Sequence, residues 1–347
     1  MKKVILTGGG TAGHVMPNLA LLPHLSGMEI HYIGSDGMEK SLLKNTGVCY
    51  HEIECVKLAR QITLKNLKIP FALIKSVRAA GKIIRQIMPD VIFSKGGYVG
   101  LPVALACPSG VPLLLHESDT SMGLANKLAY PKCSVLFTAF DSIKNKKSRC
   151  VGAILRDEIY KGDKSAALRK CRGMTEGKPY LLVFGGSLGA KSLNEAVYAN
   201  IDALLKDYNV LHITGRGNAS PIKARGYFSA PFVDDIYDFF ALADVAVSRG
   251  GANSLCELMA LKIPTLCVPL STAASRGDQI KNAEYFADRG CLNFTDDADL
   301  CRSLTDALAK TMRDAPNLIA NIKKLRLVDA TATVADAIKN AAVKATR

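Results

Sequence analysis

A short apolar run, a glycine-rich loop and a helix-like stretch follow one another twice in this chain. Val4-Ile-Leu-Thr-Gly-Gly-Gly-Thr-Ala-Gly opens it, and Leu181-Leu-Val-Phe-Gly-Gly-Ser-Leu-Gly-Ala repeats the arrangement past the midpoint. Further apolar runs lie at Ile30–Ile33, Val91–Phe93, Leu113–Leu115, Val210–Ile213, Val245–Val247 and Thr265–Val268, with helix-like segments between them. Unbroken runs of this length suit strands buried on both faces, and their alternation with helices calls for parallel sheets covered on both sides. A length of 347 residues fits about two domains. The sequence therefore predicts an α/β protein of two Rossmann-like domains in tandem. Residues 141–179, rich in Lys, Arg, Gly and Ser, hold the expected boundary, which we place at Arg156. That gives domains 1–156 and 157–332 and a final helix, 333–347, that could pack on either.

Composition excludes several alternatives. An apolar share of 48% rules out wholesale disorder. No apolar run approaches the roughly 18–20 residues that span a bilayer. The first apolar stretch stops at Thr7, too short for a signal peptide, so a cytosolic chain is expected. Ten scattered cysteines with no C-x-x-C pair and no histidine at ligand spacing argue against zinc and read as reduced, mostly buried thiols. A net charge of +14 favours an anionic partner: nucleic acid, a lipid surface or a phosphorylated substrate.

The chemistry-bearing residues cluster where strands end. Gly8, Gly10 and Gly13 satisfy G-x-G-x-x-G, with Asp36 falling 23 residues after Gly13. Such a loop lets backbone N–H groups and a helix start approach an anion. His14 follows at once, a titratable ring suited to acid–base work or simply to capping the helix. Ser94-Lys-Gly-Gly-Tyr98 and His116-Glu-Ser-Asp119 follow the next strands, the latter with Gly123 and Asn126 beyond; a catalytic carboxylate or a network orienting His14 is expected there. In the second half, Gly185-Gly-Ser-Leu-Gly-Ala190 offers a second phosphate cradle with a hydroxyl at Ser187. Ser248-Arg-Gly-Gly-Ala-Asn-Ser-Leu-Cys-Glu257 turns from strand into helix, placing Glu257 about one and a half turns in, within reach of a ribose. Asp278, Gln279 and Asn282 offer hydrogen bonds of the kind a sugar ring uses. Together these loops describe a site for a large, phosphorylated, hydroxyl-rich ligand. Asp297-Ala-Asp299 spells D-x-D but precedes a helical pattern from Leu300 to Met312, so a helix cap is expected rather than a metal.

Residues 55–89 carry eight Lys/Arg and no Asp or Glu. Leu64, Leu67, Phe71 and Ile74 alternate there with Lys65, Lys68, Lys75 and Arg78, as in a surface that lies on anionic lipid. Nucleic acid is disfavoured because aromatics are few and no binding module is seen.

The stretches GGGTAGHVMPNLAL, KGGYVGLPVALA, HESDTSMGLANK, FGGSLGAKSLN, SRGGANSLCELMALKIPTLCVP and RGDQIKNAEYF occur in one order from end to end. In this ordered set the chain resembles the MurG family of UDP-N-acetylglucosamine transferases. The resemblance implies the GT-B fold, two Rossmann-like domains facing across a cleft, with the last helix returning to the first domain. It implies an inverting transfer from UDP-N-acetylglucosamine to the C4 hydroxyl of undecaprenyl-pyrophosphoryl-muramyl-pentapeptide, the lipid intermediate of peptidoglycan synthesis, without a cofactor or bound metal. Glu257 would hold the ribose; Ser187 and the helix start at Ala252, Asn253 and Ser254 the diphosphate, with Arg156 nearby. Backbone near Val233 would read the uracil, and Gln279 with Asp278 the sugar. Thr11, Ala12 and Gly13 count among the substrate-binding residues and would meet the acceptor's pyrophosphate. Gly10, Tyr98, His116 and Asn126 are expected at the acceptor. His14 is the first candidate base, with Glu117 or Asp119 behind it. Leu64, Leu67, Lys68, Phe71, Ile74 and Lys75 would form a patch docking the enzyme peripherally on the cytoplasmic face of the plasma membrane.

The chain departs from many family members at Ala12, at Ser118-Asp119 in place of Gln-Asn, and at Leu188 in place of Gln. An ionised Asp119 cannot donate the N–H of an asparagine. A nicotinamide dehydrogenase would account for the first loop and Asp36 but gives no role to the second loop or Glu257. A related UDP-sugar transferase acting on diacylglycerol or another lipid is the main alternative. A non-catalytic membrane adaptor would use the basic segment alone.

Overall fold

The computed structural model describes residues 1–56, 69–186, 189–272, 277–325 and 329–344. The chain separates into two units, Met1–Arg156 with Val328–Arg347, and Asp157–Leu327. Each is built on a parallel sheet. The first unit contains β1 (Lys2–Thr7), α1 (Ala12–Leu21), β2 (Met28–Gly34), α2 (Met38–Leu43), β3 (Cys49–Glu52) and α3 (Ile69–Ile87). It continues through β4 (Val91–Ser94), α4 (Gly97–Ala106), β5 (Leu113–Glu117), α5 (Leu124–Ala129), β6 (Val135–Thr138) and β7 (Ser148–Cys150). The second contains α6 (Lys164–Lys170), β8 (Tyr180–Phe184), α7 (Lys191–Ala199), α8 (Ile201–Asp207), β9 (Asn209–Ile213), β10 (Tyr227–Ala230) and α9 (Ile236–Leu242). Then come β11 (Val245–Ser248), α10 (Ala252–Ala260), β12 (Thr265–Cys267), α11 (Asp278–Ala287), β13 (Asn293–Phe294) and α12 (Leu300–Lys324). The last helix, α13 (Thr331–Lys344), returns to the first unit.

Strand order is β3-β2-β1-β4-β5-β6-β7 in one sheet and β10-β9-β8-β11-β12-β13 in the other. Both orders reverse direction beside the first strand of their unit, so each sheet has a switch point where neighbouring loops diverge and a ligand can enter. In the first unit Thr7 pairs with Ser94 and Ser94 with Leu115, which brings the loops after β1, β4 and β5 out at one level. In the second, Ser248 pairs with Phe184 and with Cys267, aligning the loops after β8, β11 and β12.

Alternation along each strand fills both faces. Val4 and Leu6 join Phe93, Leu21 and Leu25 on one side of the first sheet, where α13 contributes Val334, Ala335, Ile338 and Ala342. Ile5 joins Ile92, Leu113 and Leu115 on the other, under Ala80 and Ile84 of α3. In the second unit Leu181, Val183, Val245 and Val247 pack with Leu193 and Val197 of α7 and Leu300, Leu304 and Leu308 of α12. Full burial of a Leu or Ile contributes roughly 1.5–3 kcal/mol, so these layers hold the loops on a stiff base.

Eight expected strands coincide with β1, β2, β4, β5, β8, β9, β11 and β12; β3, β6, β7, β10 and β13 were not anticipated. Of these, β3, β7, β10 and β13 are the edge strands of their sheets, and their sequences (Cys-Tyr-His-Glu, Ser-Arg-Cys, Tyr-Phe-Ser-Ala, Asn-Phe) give no apolar run. The helix expected from Leu300 to Met312 extends to Lys324, with Pro316 inside it.

On α3, Ser76, Ala80, Gly81, Ile84 and Ile87 are buried, whereas Phe71 is 75% exposed and Ile74 49%. The apolar side of this helix is thus core toward its end and open toward its start. Lys75 is paired with Glu54, 2.6 Å away. Leu64, Leu67 and Lys68 lie outside the described residues. No described helix is long and apolar enough to cross a membrane.

Candidate active site

The first loop of unit 1 is pinned from beneath. Tyr32 donates its hydroxyl to the Gly8 carbonyl and accepts from Asn18 Nδ2 at 3.0 Å. The Glu39 carboxylate of α2 is wholly buried; its oxygens accept from Ser35 N at 3.0 Å, Ser35 Oγ at 2.5 Å and Gly10 N at 3.4 Å. Thr11 occupies the N-cap of α1 in an extended conformation, but its hydroxyl makes no cap bond. It meets His14 Nδ1 at 2.8 Å instead. His14 therefore does not cap the helix; its ring is a partner of Thr11. The ring also abuts the loop after β4. At Gly97 (φ +76°) a Cβ would lie 2.8 Å from the Gly9 carbonyl and 3.4 Å from the imidazole, so glycine is required there. Burial, then the charge of Lys95, pushes the His14 pKa down to about 4, against an upward pull from Glu39. At neutral pH the ring is uncharged.

Lys95 is 2% exposed. Its Nζ donates to His116 Nδ1 at 2.6 Å and to Ser118 Oγ at 2.5 Å. His116 Nε2 faces the Gly152 carbonyl at 3.2 Å; a carbonyl only accepts, so Nε2 carries the proton and Nδ1 the lone pair. Burial first, and Lys95 second, hold this ring well below its ordinary pKa. Glu117 is 6% exposed, and both its oxygens are engaged, by Asp119 N at 3.2 Å, Gly123 N at 2.9 Å and Asn126 Nδ2 at 2.9 Å. Asn126 also donates to the His116 carbonyl. His116 and Asn126 are thus buried braces of this loop, and both Glu117 oxygens are engaged in holding its turn.

In unit 2 the strand-end loops surround a cavity of about 470 Å³, lined among others by Gly185, Ala190, Ser192, Arg249, Gln279 and Asp297. Arg249 Nη1 lies 2.8 Å from Asp297 Oδ1 and Nη2 donates to Ser192 Oγ at 2.6 Å, tying the starts of α7 and α12 to the end of β11. Nη1 also donates to the Val268 carbonyl at 3.0 Å. In the D-x-D pair Asp297 holds Arg249, and Asp299, at the N-cap position of α12, makes no side-chain cap bond and accepts from Arg302 at 2.6 Å. Gly250 approaches the Gln279 backbone so closely that a Cβ would overlap its carbonyl. Gln279 Oε1 accepts from Leu270 N at 3.0 Å. Asn282, expected at a sugar, is fully buried and donates to the Gly250 carbonyl at 3.1 Å.

Residues 4–138 match the glycosyltransferase family 28 N-terminal domain, and residues 180–341 the family 28 C-terminal domain. The chain belongs to glycosyltransferase family 28. A family 28 relative from Lachnospira eligens is 41% identical over 98% of this chain and 99% of its own length. One from Clostridium tetani is 41% identical over 97% and 98%. Both are named UDP-N-acetylglucosamine–N-acetylmuramyl-(pentapeptide) pyrophosphoryl-undecaprenol N-acetylglucosamine transferase. Among solved structures, MurG from Acinetobacter baumannii is 24% identical, with a TM-score of 0.76 over 98% of this chain and 100% of that one. The calicheamicin glycosyltransferase CalG4 gives 0.69 at 14% identity, over 100% and 98%. The fold of this family 28 chain is GT-B.

Within the family 28 framework the remaining expected residues divide by unit. Gly10, Thr11, Ala12, Gly13 and His14 share one loop and helix start with Tyr98 opposite, Thr11 and Gly13 being exposed. Asp119 is half-buried on the loop that Glu117 holds. Ala252, Asn253, Ser254 and Glu257 stand on α10, Asp278 and Gln279 open α11, and Val233 follows β10. Arg156 ends the first unit's main segment. Ser187 and Leu188 lie outside the described residues. Sequence reasoning missed Glu39, Lys95, Ser192, Arg249 and Asp297 as members of these sites. Lys95 and Arg249 sat inside stretches already singled out; each is a long cation directly after a buried strand, a signal that could have found them.

Proposed function

We propose that this chain is the inverting transferase that moves N-acetylglucosamine from its UDP donor to the C4 hydroxyl of undecaprenyl-pyrophosphoryl-muramyl-pentapeptide. The observation that carries the reading is the near full-length likeness to relatives named for that transfer. The chemistry is displacement at the anomeric carbon: the C4 oxygen forms the new bond, the bond to the UDP oxygen breaks, and the hydroxyl proton passes to a base. His14 is that base in our reading. Its Nδ1–H can be donated to Thr11 Oγ1, which leaves the Nε2 lone pair for the proton. An acceptor diphosphate at the open Thr11–Gly13 helix start would bring negative charge close to the ring and raise its proton affinity toward the working range.

In the second unit, the start of α10 and the loop after β8 would hold the departing diphosphate, stabilising the charge that develops on UDP. Glu257 would bind the ribose, Gln279 and Asp278 the sugar, and backbone at Val233 the base. Phe71, Ile74 and Lys75 support peripheral docking on an anionic, cytoplasm-facing membrane, where the lipid acceptor is presented.

The test is transfer of labelled N-acetylglucosamine from UDP to the muramyl-pentapeptide lipid by purified protein in detergent. A β-1,4-linked disaccharide lipid is expected. Donor binding without transfer to this lipid would move the acceptor elsewhere, and absence of both would end the reading.

A further inference from the structure

We propose that Lys95 is a positioning residue for His14: it fastens the β5–α5 loop beneath the first glycine loop and keeps a fixed positive charge beside the imidazole. The proposal rests on the reading of His14 as the base.

Three observations support it. First, Lys95 stands at the sheet's switch point, its backbone N–H donating to the Thr7 carbonyl at 2.9 Å, so it cannot drift from the loop that carries His14. A Cβ on Gly8 would lie 3.0 Å from Lys95 Cβ and 2.9 Å from the His14 carbonyl, which measures how tightly the two segments pack. Second, Nζ donates to His116 Nδ1 at the end of β5 and to Ser118 Oγ on the loop that follows it. These bonds tie the strand end and loop of β5 to the segment that packs against the first glycine loop. Third, the groups that bear on His14 are of opposite sign: Lys95 from the β4–α4 loop lowers its proton affinity, and Glu39 from α2 raises it. Thr11 contributes a hydroxyl from α1, and α4 brings the Tyr98 phenol against Gly10. Burial remains the larger cause of the low proton affinity; without Lys95 the pull of Glu39 would be less opposed and the ring would take up its proton at a higher pH.

The experiment is an NMR titration of the His14 ring in the full-length protein, assigned with His14→Gln among only six histidines, beside kcat and KM as functions of pH. Lys95→Met should raise the His14 midpoint by about one unit. The acid limb of kcat should move with it, while KM for the UDP-sugar stays put. Lys95→Arg should restore both. If Lys95→Met does not accumulate, Lys95→Gln keeps a donor toward Nδ1 and serves the same purpose. A midpoint unchanged from the parent overturns the proposal. A midpoint that rises while the acid limb stays fixed supports the placement of the charge and removes His14 as base. Ser118→Ala tests the fastening alone: kcat should fall roughly threefold to tenfold with the midpoint unmoved, and an unchanged kcat overturns that half.

Discussion

The two units use the same sheet for different work. In both, a first strand sits beside the switch point and sends a glycine loop into a helix, yet the loops of the first unit enclose titratable groups and those of the second enclose space. Lys95, His116, Glu117, Glu39 and Asn126 are buried among the strand ends of the first sheet. The second sheet has an Arg249–Asp297 pair in the wall of a cavity of about 470 Å³. The strand ends of the first unit bury titratable groups, and those of the second line a cavity. The duplication of strand, loop and helix does not specify this division; the residues directly after each strand do.

The sharpest way to break that comparison is His14→Ala. It should lower kcat by about 10²- to 10⁴-fold and leave affinity for UDP-N-acetylglucosamine nearly unchanged, as measured by steady-state kinetics and calorimetry. A loss confined to donor affinity would reverse the assignment of labour. Asp297→Ala leaves Arg249 buried beside a lost partner and should cost about 3 kcal/mol in urea unfolding, with weaker UDP binding and no change in the His14 titration. Acid should reveal a third difference. His212, held by Asn194 and Tyr227 in the second unit, has its pKa pushed down to about 4 by burial. The unfolded state therefore binds the extra proton first, and stability should fall as pH drops from about 6.5 to about 4, by roughly 3 kcal/mol for this ring alone. His14, lowered to the same range, adds a loss in the first unit over the same window. His212→Asn should flatten the profile seen by urea unfolding; an unaltered slope would show that the ring is not neutral in the fold. Glu257→Ala should weaken donor binding about tenfold, read by titration with UDP-N-acetylglucosamine, and unaffected affinity would remove α10 from the ribose. The smallest change in stability is expected from Phe71→Ser with Ile74→Ser, whose side chains are already exposed. The thermal midpoint should hold, while sedimentation with anionic vesicles falls; retained binding would place the membrane contact elsewhere.

What was legible followed burial. Central strands announce themselves because both faces are apolar, as in Val4–Leu6 or Val245–Val247. Margin strands such as β7, Ser-Arg-Cys, owe their conformation to a neighbour's backbone and leave little mark on composition. Val135-Leu-Phe of β6 is apolar enough to have been found, but the run is short. In the sites, loop glycines and polar clusters were readable by position. Which polar groups face a ligand was not, because that depends on partners far along the chain: His116 is occupied by Lys95 and Gly152, and Asp297 by an arginine 48 residues earlier.

The place of α13 has a consequence for synthesis. Its Val334, Ile338 and Ala342 cover the face of the first sheet that Val4, Leu6 and Phe93 present, yet the whole second unit is translated in between. The main segment of the first unit leaves the ribosome with an apolar face open and stays so until α13, made after the second unit, arrives. A pause or a break late in translation would therefore expose the earliest-made sheet to aggregation or to chaperones, although every residue of that sheet is present.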